Sequence, residues 1–214
     1  MKQIFLNIFL FALSGLIALT SAADARPVSY AGGWTAMLHN DGMMNVSHIH
    51  YSPTVNYSIG WRHEYMRDSG AHADMAQLNW LIKRWNNPES QANLYLFSGA
   101  GIAYDGNNAE PAAFTGLSVD WEDRRWFVQY ENRFFHAGRF DKYVNHKARI
   151  GIASYKGDFG DLHTWLMMEI GYNAKKDNSL TTTPLIRLFQ GPVLGEAGYN
   201  LQDKTGLFNL MVRF

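Results

Sequence analysis

Leu207-Phe208-Asn209-Leu210-Met211-Val212-Arg213-Phe214 is the stretch whose alternation decides what kind of fold to expect. A strand has a side-chain period of two, so Phe208, Leu210, Val212 and Phe214 share one wholly apolar face while Asn209, Met211 and Arg213 point the other way. Such a strand suits a surface that meets lipid outside and a polar interior within. It equally suits the last strand of a soluble sandwich whose apolar face turns inward. Alternation alone does not separate the two.

The opposite end of the chain does more. Lys2 supplies a positive start, Ile4 to Leu19 is almost wholly apolar, and Ala23-Asp24-Ala25 offers a small-x-small cleavage site, so residues 1–25 read as a cleaved secretory signal. The apolar run is shorter than the roughly 20 residues a spanning helix needs, and it is interrupted by Asn7 and Ser14. Residues 26–214 are then expected to form one domain, since no Pro/Ser-rich linker divides them. With no cysteine there is neither a disulfide framework nor the acylated Cys of a lipoprotein. Lys plus Arg equals Asp plus Glu at 19 each, so no basic excess points to nucleic acid. Aromatics at 14% together with 19 glycines fit a twisted barrel with interfacial aromatic belts.

From Trp34 onward, short alternating segments separated by turn-forming clusters predict twelve strands, with ten as the alternative, over about residues 33–40, 44–52, 56–67, 75–85, 91–104, 112–122, 125–136, 146–156, 162–172, 181–190, 193–200 and 206–214. The fold class is therefore all-β, a single antiparallel transmembrane barrel. An even count puts both termini at one end. With that end in the periplasm, the outer connections at 41–42, 68–74, 105–111, 137–145, 173–180 and 201–205 read, apart from the first, as longer than the inner ones. Trp85, Trp121 and Trp126 flank inner turns, and Tyr65, Tyr104, Phe134 and Tyr172 lie near outer rims, as two interfacial girdles require.

Parity assigns to the interior Arg62, Lys83, Arg133, Lys147, Arg149, Arg187 and Arg213 against Glu64, Asp120, Glu122, Glu131, Glu169 and Glu196. Opposite charges confined there should pair, because an unpaired ion away from water is far costlier than a paired one. Ionic cross-links and at most a narrow pore are expected, and the same charges could either rigidify the lumen or select a solute.

Two further clusters bear on chemistry. His48-Ile49-His50 places two imidazoles on one strand face beside Met43-Met44, a pattern open to copper or zinc; His163, Glu169 or Met167 could complete the set. Hydrogen-bonded lumen histidines are the alternative. His50-Tyr51-Ser52 has the His-x-Ser spacing of outer-membrane lipid hydrolases. It falls next to Pro53 at an inner turn with both side chains inward, the wrong place for outer-leaflet lipid. No catalytic set is assigned, and no cofactor is implied unless the histidines take copper or zinc.

Together, the signal, the strand count and Phe208-x-Leu210-x-Val212-x-Phe214 resemble a small bacterial outer-membrane β-barrel, the C-terminal pattern being similar to the sorting signal of that class. More narrowly, Gly32-Gly33-Trp34-Thr35, His50-Tyr51-Ser52-Pro53-Thr54, Lys83-Arg84-Trp85-Asn86, the run Glu110 to Gly116 and the run Gly160 to Leu166 resemble an uncharacterised proteobacterial envelope family associated with heavy-metal efflux gene neighbourhoods. The resemblance implies outer-membrane location, membrane lipid and the barrel-assembly machinery as partners, and a porin-like or metal-resistance role. It assigns no activity to particular residues and leaves the oligomeric state open.

Overall fold

The computed structural model describes residues 27–158, 160–174 and 180–214. The expected signal, residues 1–25, lies outside them. Twelve strands follow one another: β1 Trp34–Asn40, β2 Met44–Tyr51, β3 Tyr57–Met66, β4 His72–Asn86, β5 Ser90–Tyr104, β6 Ala109–Asp123, β7 Trp126–Ala137, β8 Asp141–Ala153, β9 His163–Asn173, β10 Leu180–Gln190, β11 Val193–Asn200 and β12 Thr205–Arg213. Each pairs antiparallel with its sequence neighbours, and β1 pairs with β12 to close the barrel. Closure removes the unpaired edges that an open sheet would expose. At the seam the Trp34 amide donates to the Phe214 carbonyl at 2.7 Å and the Phe214 amide returns the bond to Trp34 at 3.0 Å, so the terminal aromatic zips the barrel shut.

Burial alternates along every strand, and its sense is the reverse of a soluble core on the outer side. Leu117, Val119, Ile150, Leu166 and Ile170 are large, apolar and exposed, while Asp120, Arg149 and Glu169 of the same strands are covered. Trp34, Trp85, Trp121, Trp126 and Phe214 ring the end that carries the termini, and Tyr65, Tyr104, Phe134 and Tyr172 stand outward toward the other. This is the two-girdle surface of a lipid-facing barrel.

Two expectations are corrected. The connections after β3, β5 and β7 are not long: β4, β6 and β8 extend through His72-Ala73-Asp74, Ala109-Glu110-Pro111 and Asp141 to Asn145, whose turn-forming composition is overridden by cross-strand pairing, while residues 175–179 of the expected 173–180 connection lie outside the described residues. The widest gap between strands, residues 154–162, lies at the termini end. Lys83 is not inward either. A bulge between Leu81 and Lys83 shifts the register of β4, setting Lys83 outward opposite Leu94 and turning Arg84 inward opposite Asn93.

The interior is layered. At the far end Met44, Met66, Met75, Phe97, Phe114, Phe135 and Tyr143 form an apolar cluster. Near the termini a second one gathers Phe127, Trp165, Met167 and Leu185. The segment before β1 also enters the barrel. Val28 packs on Leu81 and Tyr95, the Pro27 carbonyl accepts from Ser58 Oγ at 2.9 Å, and the Ser29 amide donates to Ser52 Oγ at 3.0 Å. No sequence periodicity marks this tucked segment, because it belongs to no strand.

Candidate functional site in the barrel interior

Between the two apolar layers lies a belt of charge. Its first knot joins β3 to β7: Glu64, wholly buried, accepts from Arg62 beside it and from Arg133 Nη2 at 2.5 Å across the lumen. Arg133 also donates to Tyr143 Oη at 2.8 Å, and its guanidinium sits 4.4 Å over the Phe114 ring. The second knot runs round the other wall. Arg149 Nε donates to Glu169 at 2.5 Å and its Nη1 reaches Glu196 at 3.3 Å, while Arg187 Nε and Asn209 Nδ2 bind Glu196 at 2.6 and 3.1 Å.

Lys147 ties this knot to the opposite wall. Its Nζ lies 3.1 Å from Asp41, in the β1–β2 turn, and 4.0 Å from Glu169. That turn is built locally: Asp41 Oδ1 accepts the Met43 and Met44 amides at 3.1 and 3.2 Å, and Gly42 takes φ 83°, a conformation glycine adopts without penalty. Burial pushes the Asp41 carboxyl up, but the Lys147 charge and the His39 bond outweigh it and hold the group well below the usual carboxylate range.

All but one of the charges assigned inward by parity face inward, the exception being Lys83. Arg62, Glu64, Arg133, Lys147, Arg149, Glu169, Arg187 and Glu196 make the belt. Glu131 lines the central cavity, of about 220 Å³, and Glu122 a separate cavity of about 330 Å³ at the termini end. Asp120 accepts from Asn93 Nδ2 at 2.7 Å, which in turn accepts from Arg84, the residue parity missed. Arg213 is buried opposite Thr35.

The histidines fall differently from the expected ligand set. His48 and His50 are buried with ring centroids 4.6 Å apart, and His48 Nε2 and both His50 nitrogens have no hydrogen-bond partner. His163 does not join them; it stacks on Phe189 at 4.4 Å and lines the cavity at the termini end. Glu169 is taken by Arg149, Met167 by the apolar cluster, and Met44 sulfur by Arg133 at 3.8 Å. The register instead brings Met37 directly opposite His48 on one side and Met211 on the other, all three lining the central cavity. Among the described residues no group of three His, Cys, Asp or Glu side chains is gathered for a metal. His50 and Ser52 are both inward and inaccessible, and Ser52 Oγ is engaged by the Ser29 amide. That pair does not meet lipid.

A closed twelve-strand barrel with an apolar outer surface, aromatic rims and a charge-paired interior is an outer-membrane-type β-barrel. Three solved structures are similar to it in part. One, from a study titled for the in-meso crystallization of membrane proteins, is 13% identical with a TM-score of 0.46, covering 86% of this chain and 83% of that one. OccAB4 of Acinetobacter baumannii is 12% identical with a TM-score of 0.43, covering 84% and 56%. A loop-L8 deletion mutant of OmpT, an outer membrane protein of Vibrio cholerae, is 12% identical with a TM-score of 0.30, covering 89% and 99%. No family model and no curated protein matches.

Proposed function

We propose that this protein is an outer-membrane barrel with its termini in the periplasm and a lumen closed at rest by ion pairs, a plugged barrel rather than an open porin. The observation that carries this reading is the pair of cross-lumen bridges, Arg133 to Glu64 and Lys147 to Asp41, whose partners come from distant strands and so occupy the cross-section that a pore would need. Placement of the termini follows the tryptophan-rich rim and the terminal aromatic, which suits engagement of the C-terminal strand by the barrel-assembly machinery. Planar-bilayer recording of refolded protein tests the closed lumen: a tight seal at all voltages is expected, and well-resolved open-channel steps would refute it.

A second reading, soft-metal binding, is favoured by the unpartnered imidazole nitrogens of His48 and His50, with the Met37 thioether opposite His48 and that of Met211 one strand beyond Met37. Neutral imidazole and thioether donors suit Cu(I), and less well Zn(II). Titration of Cu(I) against a chromogenic chelator should show binding that His48→Ala/His50→Ala abolishes and Met37→Leu/Met211→Leu weakens. Unchanged binding in the histidine pair removes the site.

A further inference from the structure

The lipid-facing surface carries a polar constellation that neither the plugged lumen nor the metal reading uses. Cross-strand pairing sets Ser47 of β2 beside His63 of β3, and His63 beside Asp74 of β4, in one outward row. His63 Nδ1 lies 3.0 Å from Asp74 Oδ1, and Tyr104 Oη donates to the other carboxylate oxygen at 2.8 Å. Among the described strand residues Asp74 is the one carboxylate on the outward face away from a turn. A charge there is costly at the edge of hydrocarbon, so its two partners are what make it tolerable. Two residues up each strand, about 7 Å toward the rim, stand Asn45, Tyr65, His72 and Tyr104 in the next outward row. Asn45 Oδ1 accepts from Arg67 Nη2 at 3.0 Å, which fixes the amide so that its NH₂ group is free to donate.

We infer that Asn45, Ser47, His63 and Asp74 form a catalytic site for hydrolysis of carboxylic esters of membrane lipids. The roles follow from position. Asp74 holds the proton on His63 Nδ1 and leaves Nε2 as the base; Ser47, the cross-strand neighbour, is the nucleophile; Asn45 is the donor for the oxyanion. In the resting protein His63 Nε2 lies 3.2 Å from His72 Nδ1, and the Ser47 hydroxyl takes that place when substrate arrives. Ser47 Oγ bonds the ester carbonyl carbon as its proton passes to His63 Nε2, and the carbonyl electron pair moves to the oxygen beside Asn45. The ester C–O bond then breaks and His63 returns the proton to the departing alcohol oxygen. Water, giving its proton to His63, attacks the acyl-Ser47 ester, releasing a carboxylic acid and restoring the serine. The row lies just beneath the Tyr65–Tyr104 girdle, the level at which the acyl esters of a bilayer lipid sit, with headgroup water above it.

Which leaflet is reached rests on the orientation proposed above; the chemistry does not. The test is therefore made in detergent micelles, with refolded protein, p-nitrophenyl dodecanoate and a didecanoyl glycerophospholipid. Turnover is expected, with Ser47→Ala and His63→Ala each losing about 10²- to 10⁴-fold and Asp74→Asn losing the same order. His146→Ala, which alters the Tyr130–His146 pair on another part of the outer face, should leave turnover unchanged. A fluorophosphonate should add to the native protein on the peptide containing Ser47 and not to Ser47→Ala. Gel mobility with and without boiling confirms that each variant is folded. Absence of turnover in the native protein, or turnover and labelling that survive Ser47→Ala, overturns the assignment. A conducting pore in the bilayer experiment would leave it standing.

Discussion

Arg133 reaches Glu64 from sixty-nine positions away in sequence, its Nη2 2.5 Å from a carboxylate oxygen that solvent does not touch. Because Arg62 shares the same carboxylate, Glu64 is the hub of the knot. Glu64→Gln therefore strands two guanidinium groups in the lumen, whereas Arg133→Met leaves the Arg62–Glu64 pair intact. Breaking a buried pair from one side costs about 3–5 kcal/mol. Urea unfolding in micelles should place Glu64→Gln in that range, with Arg133→Met clearly less destabilised.

The second knot predicts charge selectivity. Arg149→Ala/Arg187→Ala removes the cations from Glu196 and the close partner from Glu169. The lumen then holds excess negative charge and more space. Bilayer recordings should show a leak absent from the native protein, and reversal potentials in a salt gradient should report cation preference. An anion-selective or sealed variant would refute the belt as the barrier.

Ile150, 51% exposed and paired with Met168 at the middle of β9, distinguishes a membrane surface from a watery one. Ile150→Arg should cost about 2–4 kcal/mol in lipid bilayers, the figure for a cation on the midplane of a barrel's lipid face. On a soluble surface the same change would be nearly neutral. Folding equilibria in liposomes measure the difference.

Lowering the pH should loosen the tie between the β1–β2 turn and β8. The Asp41 carboxyl is held below its usual range, so the stability it contributes is present above its unfolded-state value near about 4 and is lost as pH falls through the depressed native value. The temperature of the gel-mobility shift should fall in acid, and the acid-dependent part should be smaller in Asp41→Asn.

Two glycines on the barrel wall should respond oppositely. A Cβ on Gly101 would lie 1.9 Å from the Asp74 carbonyl oxygen, whereas one on Gly195 meets nothing within 4 Å. Gly101→Ala should lower the urea midpoint by about 1–3 kcal/mol of stability, and Gly195→Ala should change it by less than about 0.5 kcal/mol.

Much of the barrel was legible in residues such as Phe208, Leu210, Val212 and Phe214, because alternation with period two is a local property. The same parity found twelve of the thirteen proposed lumen charges. It failed at Lys83, where a single bulged residue reverses every later assignment in the strand, and bulges leave no mark in composition. The rim connections were misread because turn-forming residues such as Glu110, Pro111 and Asp141 are held in strands by pairing partners that only the barrel supplies.

The candidate sites divide in the same way. That His48 and His50 share a face follows from their spacing, and so does the inward aim of His50 and Ser52. That Met37 falls between His48 and Met211, that Lys147 finds Asp41, and that Ser47, His63 and Asp74 fall in one outward row are decided by register and by closure of β1 on β12. Sequence alone determined the period and which residues share a face, because these depend on neighbours two positions apart; which face turns outward, and so the class of protein, came with the closed barrel. Tertiary structure decided which residues meet, because the offset between paired strands and the shear of a closed barrel are properties of the whole sheet, which no single strand encodes.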